Sequence, residues 1–449
     1  MNTKVLDARP TAEAKLGRKN GSPIGLRSSA MVVPQSLGGG APGAECACVE
    51  LADTTRAALT LTPRSRGIFR EQLQEVLSVL KALLDRRTEP MAATMLTVFL
   101  RRAKDRAECE RSLAAWFGPR LPVVSYVLQP PCCGAALAME VWAIGGKRVV
   151  VERLRPQVLA VTYEGVRWIY CGGIQSASPL GSAYAQTVEV LGRTAFLLES
   201  VGNSFEQVLR TWFYLGGITE PEAEGVRYQQ LNGARADFYR GAQFYHSMPR
   251  PGGPPTIYPA STGIGVAGLG LTLSCLALET QRKDVRLVAL ENPNQTPAYD
   301  YQAKYSRQSP RFSRAMALVQ GDYTTIWISG TASVVGSESC HLRDLERQTE
   351  QTISNIEQLI APKNFDAHGL SGVGAGLRDL AKIRVYLKRP EDLEQCREIC
   401  ERRFGAVPAI YAVADICRPE LLVEIEGVAF SRNQPRRRNI EHGTSNVEL

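Results

Sequence analysis

The chain repeats itself. Thr97-Val-Phe-Leu-Arg-Arg, Asp105-Arg-Ala-Glu-Cys109, Phe117-Gly118, Pro122 and Leu137-Ala-Met-Glu140 return far downstream as Arg384-Val-Tyr-Leu-Lys-Arg, Asp392-Leu-Glu-Gln-Cys396, Phe404-Gly405, Pro408 and Val423-Glu-Ile-Glu426, in the same order at nearly the same spacings. A looser copy lies in the middle. Trp168-Ile-Tyr-Cys-Gly-Gly173 parallels Trp327-Ile-Ser-Gly-Thr331, Gln186-Thr187 parallels Gln348-Thr349, and Pro259-Ala260 parallels Pro408-Ala409. A recurring unit buries its apolar face against its own copies, so the repeat constrains the architecture before any single motif does. Short apolar runs alternating with amphipathic stretches read as strand, strand, helix, strand, helix, strand. That is an α+β unit with helices on one face of a mixed sheet. Three tandem units imply a pseudo-trimer, and the clefts between units are natural ligand sites.

Residues 1–65 are rich in Gly, Ala, Ser, Pro and Thr with little periodicity, which reads as a disordered arm. From Ile68 the pattern changes: Phe69, Leu73, Val76, Leu77, Leu80 and Leu83-Leu84 fall at helical spacing. The expected division is the arm (1–65), an incomplete first unit (66–150), a second unit (151–290), a third unit with the acid-bearing strand (291–432) and a flexible tail (433–449).

With 449 residues, 44% hydrophobic and 22% charged, the chain can bury a core large enough for several modules. No apolar run reaches transmembrane length and the N-terminus lacks a signal-peptide core, so a cytoplasmic protein without a membrane partner is expected. Eleven cysteines without a repeated CxxC, and only His246, His341, His368 and His442, suggest neither zinc nor disulfides, and no cofactor is expected. The net charge of +8 lies partly in terminal segments such as Arg436-Arg437-Arg438. It reads as solvated tail charge rather than a nucleic-acid surface, because no basic stripe with interleaved aromatics is present. The same bias could draw in a small dianion. A built-in pseudo-trimer predicts a monomer or a weak homo-oligomer.

Near the C-terminus, Leu421 to Ala429 alternates apolar residues with Glu424 and Glu426, a strand with two carboxylates on one face, and Cys417 stands just before it. Glu426 matches Glu140 of the first copy, whereas Ala138 stands where the third copy has Glu424. The shared acid reads as structural. The unshared Glu424 is the candidate for chemistry, with an exposed strand glutamate as the plain alternative.

The repeat unit resembles the Rid/YjgF fold, known as a homotrimer with ligands between subunits. Longer strings narrow the resemblance. Arg210-Thr-Trp, Pro259-Ala-Ser-Thr-Gly-Ile-Gly265, Glu291-Asn-Pro293, Phe312-Ser-Arg-Ala315, Gly330-Thr-Ala, His341 before Asp344, and Leu422-Val-Glu-Ile-Glu-Gly427 together resemble the chorismatases, over about residues 120–430. Deaminating Rid enzymes carry an arginine right after the Pro-Ala. Here Ser261 and Ile410 stand there, which argues against simple enamine or imine hydrolysis.

The resemblance implies cofactor-independent cleavage of the enolpyruvyl ether of chorismate, giving pyruvate with 3-hydroxybenzoate or with the dihydroxycyclohexadiene carboxylate. It implies Glu424 as the acid that protonates the terminal methylene, its pKa raised by burial. Arg235 and Arg314 would grip the two carboxylates, since a guanidinium fork binds a carboxylate through two hydrogen bonds. Arg227 and Arg311 are further candidates. Tyr301 would donate a hydrogen bond, and the Ser261 to Gly265 stretch around Thr262 would allow close backbone approach. Gly330 and Cys417 match the aromatising members, where the hydrolysing ones have alanines, and Cys417 could act as a thiol or a thiolate. Each residue also has a plain role: a salt bridge for the arginines, packing for Tyr301, a strand bend for the glycines, a buried inert thiol for Cys417. A Rid-type deaminase and a non-catalytic ligand-binding or interaction protein are the other readings.

Overall fold

Phe69, Leu73, Val76, Leu77 and Leu80 form the buried face of helix α1 (Phe69–Asp85), as their spacing predicts. The computed structural model describes residues 31–34, 43–51, 53–85, 90–223, 225–245, 257–302 and 308–434. In it the first unit begins well before α1, with β1 (Val32–Pro34), β2 (Ala44–Glu50) and β3 (Thr55–Leu61), and continues through β4 (Ala92–Leu100), α2 (Arg106–Phe117), β5 (Val123–Val127) and β6 (Leu137–Gly145). The second unit comprises β7 (Val150–Arg155), β8 (Val158–Tyr163), β9 (Val166–Gln175), α3 (Ala183–Glu199) and β10 (Val208–Gly216). A clip of β11 (Pro221–Glu222) and β12 (Gly225–Val226) leads into α4 (Arg227–Tyr239), β13 (Ala260–Val266) and β14 (Leu271–Thr280). The third unit runs β15 (Val285–Leu290), β16 (Ala315–Gln320) and β17 (Tyr323–Ala332), then a clip of β18 (Val334–Val335) and β19 (Glu338–Ser339). It ends with α5 (Leu345–Ile360), α6 (Pro362–Ala367), β20 (Leu380–Leu387), α7 (Leu393–Phe404), β21 (Ala409–Val413) and β22 (Val423–Arg432).

The three main sheets share one topology: β1-β2-β3-β6-β4-β5, β7-β8-β9-β14-β10-β13 and β15-β16-β17-β22-β20-β21. In each, only the last pair is parallel. The α+β, three-unit organisation expected from the repeat is therefore present, with two corrections. The first unit is complete, because residues expected in the arm form β1, β2 and β3, whose Ala, Cys and Thr side chains carry a weak apolar signal. The boundaries fall at 146–149 and 281–284, so the third unit starts before residue 291. Of the expected arm and tail, residues 1–30, 35–42, 52 and 435–449 lie outside the described residues.

Strand register confirms the alignment of the two acids. Thr97 pairs with Glu140 and Phe99 with Ala138, just as Arg384 pairs with Glu426 and Tyr386 with Glu424. In the second unit Trp212 pairs with Ser274 and Tyr214 with Thr272, so Ser274 and Thr272 are the counterparts of Glu426 and Glu424. The units close into a ring through their short parallel strands. Gly173 N donates to Ser125 Oγ (3.1 Å), Ser261 N to Ser329 Oγ (2.9 Å), and Ala409 N to a Glu45 carboxylate oxygen (2.8 Å). A common core draws on all three units, including Trp142, Trp168 and Trp327. No helix among the described residues is long and apolar enough to cross a membrane.

Candidate functional site between the second and third units

Two of the three inter-unit contacts carry a bulge on the receiving strand, at Gly172-Gly173 in β9 and at Ser329-Gly330 in β17. They are filled differently. A Cβ at Gly173 would lie 2.5 Å from the Val124 carbonyl oxygen, so the backbone of β5 occupies that contact, and the Ser125 and Ser274 hydroxyls close it with a 2.7 Å hydrogen bond. A Cβ at Gly330 would instead overlap Oε1 of Glu424 and come within 3.2 Å of Thr262 Cγ2. The glycine is what lets the Glu424 carboxyl lie against the β17 backbone.

Glu424 and Glu426 share one face of β22, are both buried, and have opposite surroundings. Glu426 receives Arg210, the Trp212 indole N–H (3.1 Å), the Thr262 hydroxyl, Arg384 (3.0 Å) and the Tyr386 hydroxyl (3.3 Å). Burial pushes its carboxyl up, but Arg210, Arg384 and Lys382 more than offset this and hold it below the usual carboxylate range. Among the described residues Glu424 has no such partners. Burial, reinforced by the charge of Glu426, pushes it up to about 8 against the pull of Arg210 and Arg314. Thr262 joins the two units here: its hydroxyl accepts from Gly330 N (3.0 Å) and Arg210 (2.6 Å) while donating to Glu426.

Two buried guanidinium groups flank the acid. Arg235, on α4, donates to Asn232 (2.7 Å) and Ser261 (3.2 Å) and lies 5.4 Å from the Phe312 ring centre. Arg314 lies 5.4 Å from the same ring, donates to the Thr296 carbonyl (3.1 Å) and meets the Tyr301 hydroxyl. Neither forms an ion pair among the described residues, and the Nε of each is buried without a hydrogen-bond partner. Buried cations without a carboxylate are costly, and an anionic ligand is what would compensate them. Cys417, half-buried, has its thiol pushed up to about 12 by burial and by Glu424, so it is a thiol at neutral pH and the thiolate option falls away.

The structure thus brings Glu424, Cys417, Arg235, Arg314, Tyr301, Gly330 and Thr262 into one cluster. Arg227 does not belong there. Its fork is occupied by Glu222, the carbonyls of Gly216 (2.8 Å) and Leu269 (2.8 Å), and Gln186, which makes it a brace inside the second unit. Arg311 sits 5.8 Å from the Tyr258 ring centre and has no described contact with the Glu424 cluster. Two residues went unread in the sequence. Tyr228 of α4 has its ring against Gly263, where a Cβ would lie 2.9 Å away, and its hydroxyl feels Cys417, Arg235, Glu424 and Tyr301 together. Glu291, pushed up to about 7 by burial, accepts from Arg314 N (3.4 Å) through one oxygen, while the other has no partner. Its place in the string Glu291-Asn-Pro293 was the available signal.

Fold and cleft define a class: a single-chain pseudo-trimer of α+β units with one acid-bearing site built from two of them. A 3-hydroxybenzoate synthase from Streptomyces hygroscopicus is 35% identical over 298 residues, which cover 65% of this chain and 81% of that protein. A chorismatase from Streptomyces rapamycinicus is 32% identical over 275 residues, covering 60% and 78%. A crystal structure of a chorismatase matches 85% of this chain and 100% of its own, with a TM-score of 0.60 at 22% identity, which shows the common fold. No protein-family model matches the chain. The chain belongs to the chorismatase family, a family of enzymes.

Proposed function

We propose that this enzyme cleaves the enolpyruvyl ether of chorismate, releasing pyruvate and 3-hydroxybenzoate. The observation that carries the reading is the pairing of a protonated carboxyl, Glu424, with two buried arginines whose guanidinium groups form no ion pair among the described residues. Chorismate brings two carboxylates. Arg235 and Arg314 bind them, and Tyr301, already against Arg314, adds a donor.

Glu424 then gives its proton to the terminal methylene carbon, leaving an oxocarbenium-like centre at the ether carbon. A buried, neutral carboxylic acid is suited to that transfer. The neighbouring ring hydroxyl attacks the ether-bearing ring carbon as that carbon's bond to the ether oxygen breaks, so the side chain leaves as pyruvate with that oxygen. The arene-oxide-like intermediate then opens at the hydroxyl's original C–O bond, and the ring loses a C–H proton as it aromatises. The Glu424 carboxylate takes a proton back. The two products together contain all the atoms of chorismate, so no water is consumed. Gly330 and Cys417 favour this branch over hydrolysis, because the glycine leaves Glu424 against β17 and the thiol is a neutral weak donor beside it.

The test is incubation of the purified chain with chorismate, reading pyruvate and the second product by mass. Pyruvate with 3-hydroxybenzoate is expected, and Glu424→Gln should lower the rate by about two to four orders of magnitude, the usual worth of a general acid. Absence of pyruvate above the uncatalysed background overturns the reading, and the diene diol as main product overturns the aromatising branch.

A further inference from the structure

None of the side chains gathered around Glu424 above comes from the first unit, yet one side chain of that unit is wired to them. Glu140, on β6, is buried and holds Arg384 of β20 through two hydrogen bonds, Nε to Oε2 at 2.6 Å and Nη2 to Oε1 at 2.8 Å. Lys382, two residues away on the same strand, ion-pairs with the same carboxylate. The remaining Arg384 nitrogen, Nη1, reaches Glu426 at 3.0 Å and donates to the Tyr214 hydroxyl at 2.7 Å. Thr97 of β4 accepts from Nη2 at 2.9 Å. Arg384 is therefore divided between an acid of the first unit and an acid of the third, and Glu426 lies next to Glu424 on β22.

Resting on the reading of Glu424 as the acid, we propose that Glu140 is a positioning residue for Glu424: by engaging Arg384 and Lys382 it draws their positive charge away from Glu426, and so leaves the negative field of Glu426 on Glu424 less fully cancelled.

The charges that face this pair support the sign. Glu426 meets Arg210 from β10, Thr262 from β13, and Arg384, Tyr386 and Lys382 from β20. Glu424 meets Glu426, Arg210 and Arg314, with Tyr228 and Cys417 alongside. Three cations thus serve two carboxylates, Glu140 and Glu426, although burial pulls Lys382 down to about 8 against the pull of Glu140, so its charge is complete only below that pH. Without Glu140, all three have only Glu426. Its field on Glu424 is then more fully cancelled, and Glu424 gives up its proton at lower pH. Without Lys382, Glu140 holds Arg384 more closely, Glu426 is less neutralised, and Glu424 keeps its proton to higher pH. The counterpart of these acids in the second unit is Ser274, which is uncharged and is hydrogen-bonded to Ser125 instead, so the second unit adds no third carboxylate to this wiring.

The experiment titrates the free protein carrying carbon-13-labelled glutamate carboxyls, with the Glu424 resonance assigned by its loss in Glu424→Gln, and follows the pH profile of pyruvate release in parallel. Glu140→Gln should lower the Glu424 titration point by about half a pH unit or more. Lys382→Met should raise it, and Glu140→Asp should restore most of the wild-type value. The alkaline limb of kcat should move in the same directions with KM for chorismate little changed. A Glu424 titration point that stays put in folded Glu140→Gln and Lys382→Met, or moves the same way in both, overturns the proposal. If Glu140→Gln does not fold, the upward shift in Lys382→Met decides alone. Opposite shifts in a protein that does not cleave chorismate uphold the wiring and refute the proposed reaction.

Discussion

Glu424 keeps its proton at neutral pH because burial removes the water that would solvate its charge and Glu426 opposes that charge from two residues away. As an acid it works only while protonated. Its rate contribution should be level below about pH 8 and fall about tenfold per unit above, with no corresponding loss on the acid side until the fold suffers. A kcat profile that rises through pH 8 would exclude Glu424 as the donor. Gly330 makes a second prediction. Alanine there must displace the Glu424 carboxyl or shift the bulge, so Gly330→Ala should lower 3-hydroxybenzoate formation about tenfold or more and raise the share of diene diol, read by mass on one reaction mixture. Glu424 was legible in the sequence because the repeats supply their own comparison: Ala138 in one copy and Glu424 in the other. Tyr228 had no such contrast. A tyrosine at the start of a helix looks the same whether its ring meets solvent or Gly263, and only the tertiary approach of β13 tells them apart.

The same helix explains why arginines could not be ranked from their spacing. Arg227 and Arg235 both lie on α4, eight residues apart and so on neighbouring faces, and both are buried. What separates them is the clip of β11 and β12, which places Glu222 against Arg227 and leaves Arg235 facing Ser261 and Phe312. Arg227→Met should therefore cost stability rather than binding. Taking the guanidinium away from Glu222 and the Gly216 and Leu269 carbonyls is expected to cost about 3 kcal/mol, seen as a lower melting temperature. KM for chorismate should stay within about twofold, since a change of 1.4 kcal/mol in binding would already be tenfold. A large rise in KM at unchanged stability would return Arg227 to the site. At this scale the first unit was the main loss in reading. Helix α1 announced itself through its periodicity, whereas β2 and β3 are short, rich in Ala, Cys and Thr, and buried on both faces, one in the first unit's own core and the other in the common core, so their local sequence has little contrast to display.

The whole molecule is held along its pseudo-threefold axis by groups that no single unit can satisfy. Arg56 of the first unit lies 5.0 Å from the ring centres of Trp142 and Phe430 and 5.9 Å from that of Trp168, so each unit supplies one ring. Beside it, Glu140, Arg384, Arg210 and Glu426 tie the first, third and second units together. The repeat predicted this ring but not its contents, because charges inside a core are set by pairing across units, which a single strand pattern does not carry. Since the units share both apolar core and ions, none should melt alone, and heating should give one calorimetric transition at neutral pH. Acid should weaken it in a defined window. Glu140 is pushed up by burial, but Arg384 and Lys382 prevail and hold it at about 2 against an ordinary 4.5. A depressed carboxyl stabilises the fold fully above the unfolded value and loses that contribution as pH falls from 4.5 toward 2. The melting temperature should accordingly drop through that window, and Glu140→Gln, already less stable at pH 7, should lose less of its remaining stability there. Separate transitions for separate units, or an acid response in Glu140→Gln as steep as in the unaltered chain, would mean that the axis does not couple the three units.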